Sequence, residues 1–507
     1  MITNRRRFVQ SVAAAAAAIP ATRLWAETAG ASTPAVTVGG KQITLAASDI
    51  KDLRGGLRGK LLLAQDQGYD TARKLWNPMF DRHPALIAQC AGPEDVARAV
   101  TFARAHDLLT AVRGGGHSLS GQSACDAGLM IDLSPMKDIG VDVQRRVGRA
   151  QGGVLLGELD RKMQAVGLVT TLGTATDTGI AGLTLGGGMG RMMRRHGLSC
   201  DNLQSLEVVT ADGKILRASD SENADLFWAV RGGGGNFGVV TGFEYRLHPL
   251  SENVLDGDRV YPFSQARELL DLVVEVGERA PDDLTLGVEL ANLTAAESPH
   301  PGRVALLEVT YLGKPADGER LLEPFRKLGT PIADRLTSKT YLEAQGAAGT
   351  APIAVPGGGG GTPEYIKTGF LHSAPTAFLD ELVRGVKEAP DSQMLAVEWA
   401  QMGGAVSRVS PEATAYWGRK ATHNLLIITE WADRGQDQSH IKAAREVWTA
   451  VEKFTDGFYV NTEPGADDKR VRGTYGGNYA RLEQLKKKYD PGNLFRLNAN
   501  IKPTGTA

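Results

Sequence analysis

The sequence predicts an α+β fold in two parts, and three observations carry that prediction. Helical and extended signals mix through the first half, and at least one pair of strands is joined by a tight turn. Near Arg246 the composition turns away from glycine and longer elements begin. The 61 glycines are gathered into runs of three to five, which implies backbone put to specific use.

In the first part, residues 27–245, Pro93-Glu94-Asp95-Val96 opens a helical pattern whose apolar Val96, Val100 and Phe102 run on to Leu109. Thr110 to Arg113 then reads as a strand that delivers the chain into a glycine loop. Leu129 to Leu133 is a second short strand, and Leu155 to Val166 an amphipathic helix ended by Gly167. Leu206 to Thr210 turns at Asp212-Gly213 into Lys214 to Ala218, a hairpin. The second part, residues 246–455, holds a helix over Gln265 to Val276 and strands over Arg303 to Tyr311, Met394 to Trp399 and Leu425 to Trp431, then a helix over Ser439 to Phe454. This predicts an antiparallel sheet backed by helices on one side. Pro356 followed by the five glycines of 357–361 cannot pack a core and reads as a loop bordering the site.

With 507 residues, 42% of them hydrophobic, the chain can bury cores for both parts. Its 57 basic and 58 acidic residues leave a net charge of -1, which argues against nucleic acid or an anionic membrane as partner. Cys90, Cys125 and Cys200 are the only cysteines, so one at least stays unpaired within a monomer, and no CxxC metal knuckle is available. No metal site is expected.

Residues 1–26 read as a signal peptide of the twin-arginine kind. Asn4-Arg5-Arg6-Arg7-Phe8-Val9-Gln10 leads into an alanine-rich apolar stretch ending at Ile19, a break at Pro20, and Leu24-Trp25-Ala26. That stretch is too short for a bilayer, which needs about twenty residues. Export to the periplasm or beyond is expected, with no stable membrane anchor.

Three glycine clusters stand out: Arg113-Gly114-Gly115-Gly116-His117-Ser118, Gly186-Gly187-Gly188-Met189-Gly190-Arg191, and Arg231 through Gly238. Runs without side chains can turn successive N–H groups onto an anion such as a pyrophosphate. Gly233, Gly235 and Gly238 satisfy G-x-G-x-x-G, but Val239 to Tyr245 continues as a strand where a Rossmann turn needs a helix. No G-x-x-x-x-G-K-[ST] is present, so triphosphatase chemistry is unsupported.

Taken together, Val112 to Ser118 with Gly121, Gly179 through Gly190, Gly197-Leu198-Ser199-Cys200-Asp201-Asn202 and Leu226 to Val230 closely resemble the FAD-linked oxidases of the vanillyl-alcohol oxidase superfamily. The berberine-bridge-enzyme-like branch matches best. Tyr459-Val460-Asn461, Tyr475 to Leu482 and Lys488 to Phe495 also conform to it, with the middle third of the chain weakest. The resemblance implies a PCMH-type FAD-binding domain, a substrate domain, and a C-terminal segment (456–507) that returns to the FAD domain.

It further implies that His117 is bonded to the flavin 8α carbon. Bicovalent relatives add a cysteine where this chain has Ala175, so a single bond is expected. FAD contacts are implied for Arg113, Gly114, Gly115, Gly116, Ser118, Gly121, Thr178, Gly179, Gly182, Leu185, Gly190, Asn202, Val240 and Asn461. The family's terminal Asn-Gln-Asn is here Asn498-Ala499-Asn500, with both flanking amides kept. Hydride removal from an alcohol needs a base for the hydroxyl proton. Tyr459 is the first candidate, and Glu398 the second because it alternates with Val397 and Trp399 and so faces the other side of its strand. A surface salt bridge is the competing role for Glu398. Gln401 is a candidate for orienting substrate.

The leading function is an oxidase acting on a small alcohol, sugar or amine, with oxygen as acceptor and hydrogen peroxide as product. Thr178, at a position that governs oxygen access in the family, leaves more room than leucine would. A dehydrogenase with another acceptor is the enzymatic alternative, and a flavin-containing binding protein the non-enzymatic one. Substrate-dependent bleaching of the flavin separates the last from the other two.

Overall fold

The computed structural model describes residues 32–250, 253–293, 301–346, 362–463 and 465–505. The leader at 1–26 and the glycine run 357–361 lie outside the described residues. The fold is α+β, as the sequence predicts.

The two larger sheets of the first half share a helix. Strands Lys60–Leu62, Leu86–Gln89, Leu129–Asp132 and Thr110–Arg113 form one sheet in that order, its last two pairings parallel. The second is antiparallel, in the order Ile215–Ser219, Leu203–Val209, Val239–Arg246, Val147–Gln151 and Ile139–Asp142. Helix Pro93–Ala105 begins on a proline, which suits a first-turn position whose N–H has no partner to lose. Asp95 in that turn accepts the N–H groups of Arg58, Gly59 and Ala91, each at 2.9 Å. Its stripe of Val96, Ala99, Val100 and Ala103 joins one core with Leu86 and Ile131 of the first sheet and Val209 and Val239 of the second.

The second half is an eight-stranded antiparallel sheet. Its six longest strands run, in sheet order, Val254–Pro262, Gly302–Tyr311, Leu284–Leu293, Leu395–Gln401, His423–Glu430 and Glu364–Leu371. Helices Ala266–Arg279, Thr376–Glu388 and Asp437–Val451 cover one face, packing on Leu286, Leu307, Val397, Trp399 and Ile427. The first of these helices runs past the expected end at Val276, and the last tightens into a 3-10 turn over Glu452–Phe454. The opposite face is left for the site.

The chain then returns to its first half. Helices Asp468–Tyr475 and Tyr479–Tyr489 bury Val471, Tyr475, Tyr479 and Leu482 in the core of the five-stranded sheet, beside Phe227, Phe237 and Tyr245. All three cysteines are free and buried, and burial pushes the Cys125 thiol up to about 12, so all are packing residues.

Candidate active site

A cavity of about 970 Å³ lies between the glycine loops and the helix-free face of the eight-stranded sheet. Strand Thr110–Arg113 delivers Gly114, Gly115, Gly116, His117 and Ser118 to its wall. Gly115 must be glycine, because a Cβ there would meet Gly179 Cα at 2.5 Å. The first and second glycine segments therefore touch backbone on backbone. At Gly182 and Gly235 a Cβ would meet nothing, and both face the cavity, so the missing side chains leave a cradle with bare amides. Leu185, Gly190 and Val240 line this cavity, as do Thr178 and Ala175.

His117 is held on two sides. Trp76 stacks on its ring with centroids 4.7 Å apart and planes 22° apart, and the Trp76 N–H donates to Gly116 O at 2.9 Å. Asp177 Oδ1 lies 3.5 Å from His117 Nε2. Burial pulls the imidazole pKa below its usual value, and the Asp177 carboxylate opposes this only in part. The ring is neutral at pH 7.

The C-terminal segment closes the floor. Asn236, from the third glycine cluster, donates to Ala499 O at 3.1 Å and accepts the Ile501 N–H at 2.9 Å, which brings Asn498 to the cavity wall. Asn498 Oδ1 is buried there without a partner among the described residues.

On the substrate side, Tyr459 and Glu398 line the same cavity. The Tyr459 hydroxyl oxygen accepts Asn461 Nδ2–H at 2.8 Å and the Met189 N–H at 3.4 Å. Burial raises its pKa, and these donors work against that rise. Asn461 itself also donates to Leu183 O at 3.1 Å and so fixes the Tyr-x-Asn segment to the second glycine segment. Glu398 makes no surface salt bridge among the described residues. It sits deep in the cavity, and burial, reinforced by Glu308, Glu289, Glu364 and Glu430, raises its pKa to about 8.

Five residues expected at the cofactor or substrate stand off the wall. Arg113 is buried and spends its charge on Asp132, 3.2 Å away, beneath the first glycine loop. Gly121, at φ +72°, packs against the Phe80 ring. Asn202 donates to His196 O and Leu198 O and pairs with His248, bracing the loop after the second glycine cluster. Asn500 lies beyond the wall, its Oδ1 buried and unpartnered among the described residues. Gln401 donates to Gly277 O at 2.8 Å and accepts the Leu286 N–H, tying its strand to the helix behind the sheet. The period of two that aims Glu398 at the cavity puts Gln401 on the side of Trp399.

The sequence reading missed other wall residues. Glu308 and Thr310 share a strand face with Glu398, and Arg191 reaches Asp256 at 3.1 Å across the cavity. Glu308 carried the signal that exposed Glu398, a lone acid inside an apolar strand. Asp177 and Trp76 carried none, since neither lies in a recognisable motif.

Residues 84–219 match the FAD binding domain family, and residues 458–502 match the berberine and berberine-like family. The FAD-linked oxidoreductase YgaK of Bacillus subtilis is 30% identical over 456 residues, which span 88% of this chain and 97% of that one. The chain belongs to the berberine-bridge-enzyme-like FAD-linked oxidoreductases. It is also similar to (R)-6-hydroxynicotine oxidase of Paenarthrobacter nicotinovorans, at 29% identity over 89% of this chain and 98% of that protein. The crystal structure of 6-hydroxy-D-nicotine oxidase from Arthrobacter nicotinovorans superposes with a TM-score of 0.79 at 27% identity, covering 88% and 98% of the two chains. Glucooligosaccharide oxidase of Acremonium strictum, at 23% identity over 90% and 99% of the chains, shares the fold with a TM-score of 0.82. The enzyme binds FAD, and its cavity fits that cofactor. The glycine cradle offers bare N–H groups to a pyrophosphate, and the orphaned Asn498 Oδ1 and neutral His117 wait at the same wall.

Proposed function

We propose that this enzyme is an oxidase that removes a hydride from a small alcohol, sugar or amine, and that FAD is tethered to it by one bond, through His117. When bound, the flavin supplies the two-electron acceptor and passes the electrons to oxygen, releasing hydrogen peroxide. The observation that carries the reading is the Tyr459 hydroxyl. Two N–H groups already occupy its oxygen, so its own hydrogen is free for a group in the cavity, and the same donors favour the phenolate once a proton leaves. Having lost its own hydrogen to solvent or to an ionised Glu398 carboxylate on the sheet side, Tyr459 accepts the substrate proton as a phenolate. Thr178 at the cavity wall, with its short side chain, leaves room for oxygen. Ala175 in place of a cysteine supports a single tether, and the similarity to 6-hydroxynicotine oxidase supports oxidase chemistry.

Turnover with a substrate found by screening alcohols, sugars and amines should release peroxide in proportion to product. Flavin that stays reduced in air for minutes but bleaches an artificial dye rapidly would replace the oxidase by a dehydrogenase. Flavin that no substrate bleaches would leave only a binding protein. The N-terminal motif supports export by the twin-arginine route with the flavin already attached. Replacing Arg5 and Arg6 by lysine should then strand flavinylated enzyme in the cytoplasm.

A further inference from the structure

We propose that Asp177 is the positioning residue for flavin attachment: it holds the proton of His117 on Nε2, so that Nδ1 is the nitrogen bonded to the cofactor. The inference rests on the tether through His117. Its basis is the contact of Asp177 Oδ1 with His117 Nε2 at 3.5 Å, made while Trp76 stacks on the ring and limits its rotation. Asp177 is also the one side chain whose charge draws the imidazole pKa upward against its burial. The other group that favours the protonated ring is the carbonyl of His117 itself, a neutral acceptor with a weaker claim on the proton than a carboxylate. A neutral ring carrying its hydrogen on Nε2 presents a lone pair on Nδ1.

Asp177 acts at a second point as well. In attachment, Nδ1 forms a C–N bond to the 8-methyl carbon, one methyl C–H breaks, and its proton leaves to water. The ring becomes an imidazolium with its hydrogen on Nε2, and the two electrons of the broken bond remain on the flavin. Dioxygen takes those electrons with two protons and becomes hydrogen peroxide. The carboxylate beside Nε2 stabilises the positive charge as it develops, the same service an aspartate gives a catalytic histidine.

The test uses the full-length enzyme with FAD in air and reads the share of flavin that survives acid precipitation, together with total bound flavin before denaturation. Asp177→Asn should bind as much FAD as the wild type but attach it at least about tenfold more slowly, and Asp177→Glu should recover part of the rate. Should Asp177→Asn fail to fold, the flavin peptide of the wild-type enzyme still decides, since NMR of that peptide should show the bond at Nδ1. Attachment by Asp177→Asn at the wild-type rate, or a bond at Nε2, overturns the role of Asp177 while the tether stands. Release of all wild-type FAD overturns the tether itself, and this role with it.

Discussion

His117 is neutral because burial outweighs the carboxylate beside it, and a neutral imidazole has a lone pair to give. His117→Ala should therefore release FAD on acid precipitation where the wild type stays yellow, and the loss of the electron-withdrawing substituent should lower the flavin potential, read by dye equilibration. At the other wall, Tyr459→Phe removes the hydroxyl that two N–H donors prepare for proton transfer. It should lower kcat about 10²-fold or more while leaving the FAD spectrum unchanged. Glu398, with its pKa raised to about 8, is protonated at neutral pH. If the reaction needs its carboxylate, kcat/KM should climb as pH rises through that value, and Glu398→Gln should abolish the climb. An unchanged profile in that variant would assign the whole proton transfer to Tyr459.

Among elements, the glycine segments and the C-terminal segment do different work. Gly115 and Gly179 let two loops meet, whereas Gly182 sits in helix Ile180–Leu185 with open cavity where its side chain would be. Gly182→Ala should thus keep the fold, gaining about 1 kcal/mol of helix propensity, yet weaken FAD binding, measured by titrating the deflavinated His117→Ala background. The C-terminal segment is fastened by Lys486, whose Nζ donates to Asn236 O, Phe495 O and Asp490, all within 2.8 Å. Asp490 in turn accepts the N–H groups of Leu494 and Phe495. Lys486→Met would leave a buried carboxylate uncompensated. A loss of about 3 kcal/mol is expected in denaturant unfolding, together with faster flavin release from the His117→Ala background as Asn498 loses its anchor.

Across the whole molecule, the buried carboxyls give stability a distinctive pH dependence. Burial raises Glu364 and Glu398 to about 8, and Glu289 and Asp160 to about 7. Above their unfolded values the native state therefore binds more protons than the unfolded chain, and stability falls as pH rises through the raised values. His196 and His423 act with the opposite sign. Burial lowers both to about 3, so the unfolded chain binds more protons up to its own histidine pKa and stability rises with pH there. Between about pH 6.5 and pH 8 the histidine effect is spent and the carboxyls dominate. Tm should drop across that interval, and Glu364→Gln, at a site with an orphaned Oε2, should shrink the drop by about 1 kcal/mol per pH unit. A Tm that rises over the same interval would contradict the burial of these acids.

Local patterns were legible in the chain itself. The glycine runs, the histidine ending the first of them, the strand following the third, and a lone glutamate inside apolar Leu395–Gln401 each depend on neighbours a few residues away, where backbone sterics and side-chain period decide. Even the inward turn of Gln401 followed from that period. Tertiary structure alone decided which of these patterns meet. Gly115 against Gly179, Asp177 beside His117, Asn236 clasping Ala499 and Met189 donating to Tyr459 join segments far apart in the chain. Such contacts are set by how the cores under the two sheets and the returning C-terminal helices pack, and the identity of either partner does not announce the other. For the same reason, only the folded molecule shows that Arg113 and Asn202 brace the cofactor loops from behind, and that a carboxylate stands beside the histidine proposed to hold the flavin.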